Sequence, residues 1–172
     1  MISGSEIKVL DRNAEYYGVP AHNLMENAGK GVADFIINHL DSANESILVF
    51  CGMGNNGGDG FVAARYLSEK HNVTLFLTGA EKDIRTDISR KNFCKLKEIN
   101  LKIHDIESLS KIDKYLSEKN VIVDSMLGIG LSGSLRAPYS TIVRKINAVK
   151  NKTVISVDMP TGIGTDLSLI HI

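Results

Sequence analysis

Short apolar segments alternate with longer amphipathic ones from residue 46 onwards. The apolar segments predict five buried strands, and the segments between them have helical patterns or helix-compatible composition. Strands that alternate with helices predict an α/β domain whose parallel sheet has right-handed crossovers. The predicted strands are 47–51, 73–77, 101–104, 121–124 and 154–158, and the predicted helices are 58–70, 85–99, 107–118 and 139–149.

Two further helices are predicted before the first strand. The first follows a capping-box pattern at Ser3 and ends at Gly18. The second begins at a cap placed at Asn23 and continues to Leu40. We interpret both as an N-terminal addition to a doubly wound domain. The predicted apolar face of the second helix comprises Leu24, Ala28, Val32, Phe35 or Ile36, and Leu40.

Length and composition limit the classes of protein that need to be considered. The 172 residues suffice for one domain with a sizeable core. Lys and Arg together number 20, as do Asp and Glu, so the zero net charge favours neither nucleic acid nor an anionic membrane as a partner. No apolar segment has transmembrane length, and the polar N-terminus is not typical of a signal peptide. Cys51 and Cys94 have no paired spacing, which indicates reduced thiols in the cytoplasm, with Cys51 as a small buried apolar residue.

The first predicted strand leads into a glycine-rich segment, residues 51–60. Five glycines in the nine residues 52–60 would let a phosphate approach the backbone at a helix N-terminus. The segment matches G-x-G-x-x-G only weakly, and no Gly-Lys-Ser/Thr follows, so it is not a Walker A loop. Two amides and a carboxylate lie within it, at Asn55, Asn56 and Asp59. The alternative, a plain βα turn, would need only one or two of these residues.

Two later strands also end in Asp followed by a loop that contains glycine. Asp124 precedes the segment 128–134, and Asp158 precedes Thr161 and Gly162. Although one such Asp could merely cap a helix, the carboxyl ends of parallel strands meet at one edge of a sheet. We therefore expect six side chains to converge there: Asn55, Asn56, Asp59, Asp124, Asp158 and Thr161.

The convergent groups suit a hard cation and a phosphate-containing ligand. Amide, hydroxyl and carboxylate oxygens would fit either a monovalent ion or Mg²⁺, and the residues alone do not separate the two. The main-chain N–H groups of residues 128–134 could hold a diphosphate. Asp158 would remain available for proton transfer.

These motifs together resemble the NAD(P)H-hydrate epimerase family (YjeF N-terminal domain). The resemblance rests on residues 54–60, 123–133 and 157–162, and on Leu-Met-Glu-Asn-Ala-Gly at 24–29. It extends over about residues 2–166. It implies a Rossmann-like three-layer sandwich with a mostly parallel sheet and two extra N-terminal helices. It also implies an isomerase that interconverts the R and S epimers of NADHX and NADPHX.

The resemblance further implies a partner enzyme, an oligomeric state and roles for individual residues. An ADP- or ATP-dependent dehydratase, separate or fused, would consume the S epimer, and the epimerase would be a cytoplasmic homodimer. Our hypothesis is that Asp158 shuttles a proton as C6 of the nicotinamide ring opens and recloses. The potassium ligands would be Asn56, Asp124 and Thr161, and the substrate-binding residues would be Asn55, Asn56, Gly57, Gly58, Asp59, Gly128, Ile129, Gly130, Leu131, Ser132, Gly133, Ser134 and Asp158.

The sequence departs from the family pattern at three places. Thr161 stands where the family has Ser, and Met159 replaces a small apolar residue; both changes are mild, and the threonine hydroxyl can still bind a cation. Family members continue for several dozen residues beyond residue 166. We therefore expect residues 1–166 to be an incomplete domain and residues 167–172 to be a non-native tail, since they match a translated sequencing adaptor.

Two other functions compete with the epimerase interpretation. A non-catalytic ligand-binding or scaffold domain of the same fold would be expected to lack site residues that are present here. A NAD-dependent dehydrogenase is disfavoured because Asp59 lies in the glycine-rich segment and no acidic residue follows the second strand, where residues 76–79 are Phe-Leu-Thr-Gly.

Overall fold

The computed structural model describes residues 6, 9–10, 13–14, 16–40, 45–129 and 133–163. Five parallel strands form one sheet with the order β3-β2-β1-β4-β5. The order reverses between β1 and β4, and such a reversal opens a crevice at the carboxyl ends of the strands. The strands are β1 Ser46–Cys51, β2 Asn72–Leu77, β3 Lys102–His104, β4 Val121–Ser125 and β5 Thr153–Ser156.

Helices cover both faces of the sheet and confirm the predicted Rossmann-like α/β sandwich. Helices α1, α2 and α3 pack on one face, and α4 and α5 pack on the other. Among the described residues, no helix combines the length and apolar character needed to cross a membrane. The helices are α1 Ala21–His39, α2 Asn55–Leu67, α3 Asp87–Lys97, α4 Ile112–Glu118 and α5 Tyr139–Ala148, and 3₁₀ turns occupy Glu81–Asp83 and Ile106–Lys111.

The central strand β1 is buried on both faces, which explains its uninterrupted apolar sequence. Val49 and Cys51 pack in the core on the α2 side, whereas Leu48 and Phe50 pack on the α4 and α5 side. The thiol of Cys51 is fully buried, so its predicted role as a small apolar residue is confirmed. Burial, with smaller contributions from the charges of Asp124 and Asp59, raises the pKa of this thiol well above its ordinary value.

Helix α1 differs from its prediction at its start and in its buried face. The predicted cap at Asn23 is wrong, because the helix begins after Pro20, whose extended backbone forms the N-cap. The predicted apolar face is partly confirmed, since Ile36 is buried and Val32 and Leu40 pack half-buried against the core. The other buried residues are Met25, Gly29 and Ala33, each one position after a predicted one.

Close packing against α2 selects this face of α1. A Cβ atom added to Gly29 would lie 2.4 Å from the Cβ atom of Val62, so the helices touch where side chains are smallest. The larger side chain of Phe35 is 51% exposed. Of the predicted first helix, the described positions 6, 9, 10, 13, 14 and 16 are helical, and Ser3 lies outside the described residues.

Three other predicted boundaries are corrected by the structure. Helix α2 begins at Asn55, three residues before the predicted start. Strand β5 ends at Ser156, so Asp158 lies beyond the strand rather than at its last position. The third crossover begins as a 3₁₀ turn before it becomes α4.

Candidate functional site

The residues predicted to lie in a glycine-rich loop form the first turn of α2. Gly54 has extended backbone geometry and is the N-cap of the helix, which begins at Asn55. A Cβ atom on Gly57 would lie 1.9 Å from the carbonyl oxygen of Gly52, so only glycine lets the helix start this close to β1. The prediction of a loop is therefore wrong for residues 55–57, and the side chains of Asn55, Asn56 and Asp59 all lie near a helix N-terminus. The dipole of a helix favours anions at this end.

Asn56 carries a buried side-chain amide that has no hydrogen-bond partner among the described residues. Neither its Nδ2 nor its Oδ1 forms a hydrogen bond with them. The main-chain carbonyl of Asn56, in contrast, accepts a short hydrogen bond from the hydroxyl of Ser125. An unsatisfied buried polar group costs about 1–3 kcal/mol, so a native structure keeps one where a ligand can satisfy it.

Asp158 and Gly128 lie beside that amide, as predicted. A Cβ atom on Gly128 would be 2.2 Å from Oδ2 of Asp158 and 3.4 Å from Cγ of Asn56. The N–H of Ile129 donates a hydrogen bond of 2.8 Å to Asp158 Oδ2. Asp158 is solvent-exposed, and its φ of 65° is a left-handed conformation that a non-glycine residue adopts at a local cost.

Asp124 and Thr161 form a second, buried pair at the same edge. The main-chain N–H of Thr161 donates to Asp124 Oδ2 at 2.8 Å, and its hydroxyl donates to Oδ1 at 2.7 Å. The N–H of Leu127 in turn donates to the Thr161 hydroxyl oxygen at 3.1 Å. These bonds connect the loops that follow β4 and β5. The pair borders a cavity of about 220 Å³ between α5 and β5.

The carboxylate of Asp124 is buried, and the part of the chain that the structure describes gives it no positively charged partner. Only 5% of the residue is exposed, and no ion pair found among the described residues involves it. Burial raises the pKa of Asp124 above its ordinary value, although hydrogen bonds from Thr161, Met126 and Ser156 act in the opposite direction. A buried carboxylate that lacks a cationic side chain is suited to contact a bound cation.

The oxygen donors at this edge fit a hard cation better than zinc. Asn56 offers an unpartnered amide oxygen, Asp124 a carboxylate and Thr161 a hydroxyl. Within the described ranges, no group of three or more His, Cys, Asp or Glu side chains could hold a metal ion. One carboxylate among neutral oxygens is a donor set for an ion of low charge.

The remaining predicted site residues are less closely assembled. Asn55 is exposed, and its Oδ1 accepts a hydrogen bond of 2.8 Å from Thr86 instead of facing the Asn56 amide. Asp59 is half-buried one turn further along α2. Gly133 and Ser134 are exposed, whereas the predictions for Gly130, Leu131 and Ser132 lie outside the described residues.

Three hydroxyl groups that contact the site were not predicted: those of Ser125, Thr86 and Ser89. Ser125 bonds the Asn56 carbonyl, and the Ser89 hydroxyl donates to the carbonyl of Gly54 at 3.1 Å. The available signal was positional. Ser125 directly follows Asp124, and Thr86 has the residue type of a helix cap after β2, at the same edge of the sheet.

Comparison with known proteins finds one family that this chain resembles over most of its length. The family model described as YjeF-related protein N-terminus matches residues 21–171. The bifunctional NAD(P)H-hydrate repair enzyme Nnr of Methanocaldococcus jannaschii is 41% identical over 182 residues, which cover 98% of this chain and 36% of that protein. The enzyme of the same name from Thermofilum pendens is 42% identical over 166 residues, with 94% and 31% covered.

A solved structure agrees with these sequence matches. The crystal structure of yeast ynu0 superposes with a TM-score of 0.80 at 26% identity, and the match covers 94% of this chain and 71% of the yeast chain. The chain spans about a third of the length of the curated relatives it matches, and the family model matches most of the chain. The chain belongs to the family of YjeF-related protein N-termini.

Proposed function

We propose that this chain is an NAD(P)H-hydrate epimerase, an isomerase that interconverts the R and S epimers of NADHX and NADPHX. The proposal rests on one structural observation above all: the unpartnered Asn56 amide, the exposed Asp158 carboxylate and Gly128 meet at the carboxyl edge of the sheet. The names of the matched relatives, which are NAD(P)H-hydrate repair enzymes, supply the substrate.

The arrangement supports the assignment of phosphate binding and proton transfer to different groups of the site. The N-terminus of α2 and the N–H groups after β4 would bind the phosphates of the dinucleotide, because free N–H groups and the helix dipole favour anions there. Absence of a side chain at Gly128 lets the Asp158 carboxylate lie against the Gly128 backbone, and we propose that the nicotinamide ring binds beside it. Asn56 would then donate to, or accept from, the hydrate through its amide.

Asp158 is the proposed catalytic residue. Its carboxylate would take the proton of the C6 hydroxyl while the bond between C6 and N1 breaks, and it would return that proton to N1. The open form carries an aldehyde at C6. Rotation about the bond between C5 and C6 followed by attack of N1 on the other face gives the opposite epimer, with the proton returned to the oxygen. Exposure of Asp158 and its bond from Ile129 suit an oriented acid–base group.

K⁺ is the proposed ion of the site, with Asn56, Asp124 and Thr161 as its ligands. It would supply positive charge that compensates the buried carboxylate. It would also connect β4 with the segments after β1 and β5. A fixed geometry of these three segments would in turn hold the substrate beside Asp158.

The wider setting is also proposed. We infer that the chain acts together with an ADP- or ATP-dependent dehydratase, since the matched relatives are described as bifunctional repair enzymes. That it is a cytoplasmic homodimer is proposed from the family resemblance alone. Residues 1–166 would be the epimerase domain.

The test is an epimerase assay on the purified chain. R-NADHX is incubated with the protein in KCl or in NaCl of equal ionic strength, and an S-specific dehydratase removes the product. The proposal predicts rapid consumption of the R epimer in KCl and slow consumption in NaCl. Consumption no faster than in the absence of the chain would instead support a non-catalytic binding domain.

A further inference from the structure

The first residues of α3 and the turn before them hold the start of α2 through three hydrogen bonds. The N–H of Arg85 donates to the carbonyl of Met53 at 2.8 Å. The hydroxyl of Ser89 donates to the carbonyl of Gly54 at 3.1 Å, and the hydroxyl of Thr86 donates to Oδ1 of Asn55 at 2.8 Å. Three consecutive residues before Asn56 are therefore fixed from one element.

The hydroxyl groups of Thr86 and Ser89 also contact each other. Thr86 is the N-cap of α3, and its hydroxyl oxygen accepts from the N–H of Ser89 at 3.3 Å. Thr86 Oγ1 lies 2.8 Å from both Asn55 Oδ1 and Ser89 Oγ, so its single proton is shared between these two acceptors, while the proton of Ser89 goes to Gly54. Ser89 is fully buried, so its bond is protected from competition with water.

Close packing reinforces the same connection. A Cβ atom on Gly58 would lie 2.5 Å from the Ser89 hydroxyl oxygen and 2.6 Å from the sulfur of Met25. The Met25 sulfur also accepts a contact of 3.2 Å from the amide nitrogen of Asn92 on α3. The first turn of α2 is thus held between α1 and α3 on one side.

On the other side, the hydroxyl of Ser125 from β4 bonds the carbonyl of Asn56. The unpartnered amide of Asn56 lies between these two attachments. Loss of the attachment from α3 would let the turn rotate about the remaining one and would move the amide away from Gly128 and Asp158.

We propose that Ser89 and Thr86 are positioning residues of the site, which orient the first turn of α2 so that Asn56 meets the substrate and its ion. This inference rests on the proposed function for its substrate. Neither residue touches the Asn56 amide in the contacts described above, so both act through the backbone and through Asn55. Their expected effect is on binding, because they set the orientation of a binding group without contributing to the proton transfer.

The experiment compares Ser89→Ala and Thr86→Val with a matched control, Ser68→Ala. Ser68 bonds the carbonyl of Arg65 at 2.7 Å at the opposite end of the same helix, so the control removes an equivalent bond. In the epimerase assay we expect KM for R-NADHX to rise about fivefold in each test variant with kcat nearly unchanged, since one neutral hydrogen bond is lost. Ser68→Ala should leave both constants unchanged, and Thr86→Ser should restore KM.

Hydrogen exchange of residues 54–60 separates this inference from the proposed function. Ser89→Ala should accelerate amide exchange in this segment while Ser68→Ala does not. If the wild-type chain shows no epimerase activity, the exchange result alone decides the positioning role. Unchanged exchange in Ser89→Ala, or a fall in kcat without a rise in KM, would overturn the inference.

Discussion

Asp124 and Asp158 occupy similar places in the sequence, each beside the end of a strand and before a loop that contains glycine, but their environments differ. Asp124 is 5% exposed and accepts two hydrogen bonds from Thr161. Asp158 is exposed, has a φ of 65°, and accepts one bond from the N–H of Ile129. A buried carboxylate with a full set of donors is an anchor, whereas an accessible one can exchange protons with a substrate.

The position of each aspartate relative to the end of its strand produces this difference. Asp124 lies within β4, opposite Ser156 of β5, and its side chain is therefore fixed by the sheet. Asp158 lies two residues beyond β5, where the backbone has left the strand and turns the carboxylate towards Gly128. Similar sequence motifs thus give the two carboxylates different environments, because one aspartate lies inside its strand and the other lies beyond the strand end.

The largest effect should follow from removal of the exposed carboxylate. Asp158→Asn keeps the shape of the side chain but cannot take up a proton, so kcat for R-NADHX should fall about 10²–10⁴-fold. Asp34→Asn, on the outer surface of α1 and paired with Lys30, is the control and should retain activity. Full activity of Asp158→Asn with an intact circular dichroism spectrum would remove Asp158 from the mechanism.

A smaller loss should follow when the same carboxylate is displaced but not removed. In Gly128→Ala the new Cβ would lie 2.2 Å from Asp158 Oδ2, so the carboxylate must move and activity should fall about 10²-fold. Gly31→Ala is the matched control, because a Cβ at Gly31 would meet no atom within 4 Å. The kcat/KM values of both variants provide the measurement, and equal values would contradict the placement of Asp158 beside Gly128.

The buried aspartate should be sensitive to the loss of its donor. Thr161→Val removes the hydroxyl that donates to Asp124, and a hydrogen bond to a charged group contributes about 1.5–3 kcal/mol. The free energy of unfolding in urea should fall by that amount, and Thr161→Ser should recover most of it. A loss in Thr161→Ser as large as that in Thr161→Val would show that the methyl group, not the hydroxyl, stabilises the pair.

The smallest effect is a pH dependence that originates away from both aspartates. Burial lowers the pKa of His71 below 6.5, and its Nδ1 accepts a bond of 3.2 Å from the N–H of Glu45, which protonation would break. The unfolded chain therefore takes up this proton first, and stability should decrease as pH falls from 6.5 through the lowered pKa.

His71→Gln should reduce that slope in urea unfolding measured as a function of pH, and His39→Gln on the exposed end of α1 is the control. An unchanged slope in His71→Gln would assign the acid sensitivity to other groups.

The sheet was predictable from sequence chiefly because its three inner strands, β1, β2 and β4, are buried on both faces. All five apolar segments became strands, and Asp124, Asp158 and Thr161 reached the same edge as expected. A parallel sheet requires this convergence whatever its strand order, which is why the site could be anticipated from separate motifs.

The details that failed depend on close packing that arises only in the folded chain. Helix α2 could begin at Asn55 only because Gly57 fits against Gly52, and α1 turned its small residues inward because Gly29 meets Val62. The bonds from Thr86 and Ser89 to the start of α2 likewise connect α3 with α2, two helices that β2 separates in the sequence. Local periodicity and capping rules contain no information about such contacts.

We propose that Asp124 binds a cation, whereas Asp158 transfers the proton. The direct test is a KCl titration of the thermal unfolding midpoint, at constant ionic strength, for the wild-type chain, Asp158→Asn and Asp124→Asn. An ion that binds only the folded state raises the midpoint as its concentration increases. We expect equal increases for the wild type and Asp158→Asn and none for Asp124→Asn. Loss of the increase in Asp158→Asn, or its retention in Asp124→Asn, would contradict the assigned roles.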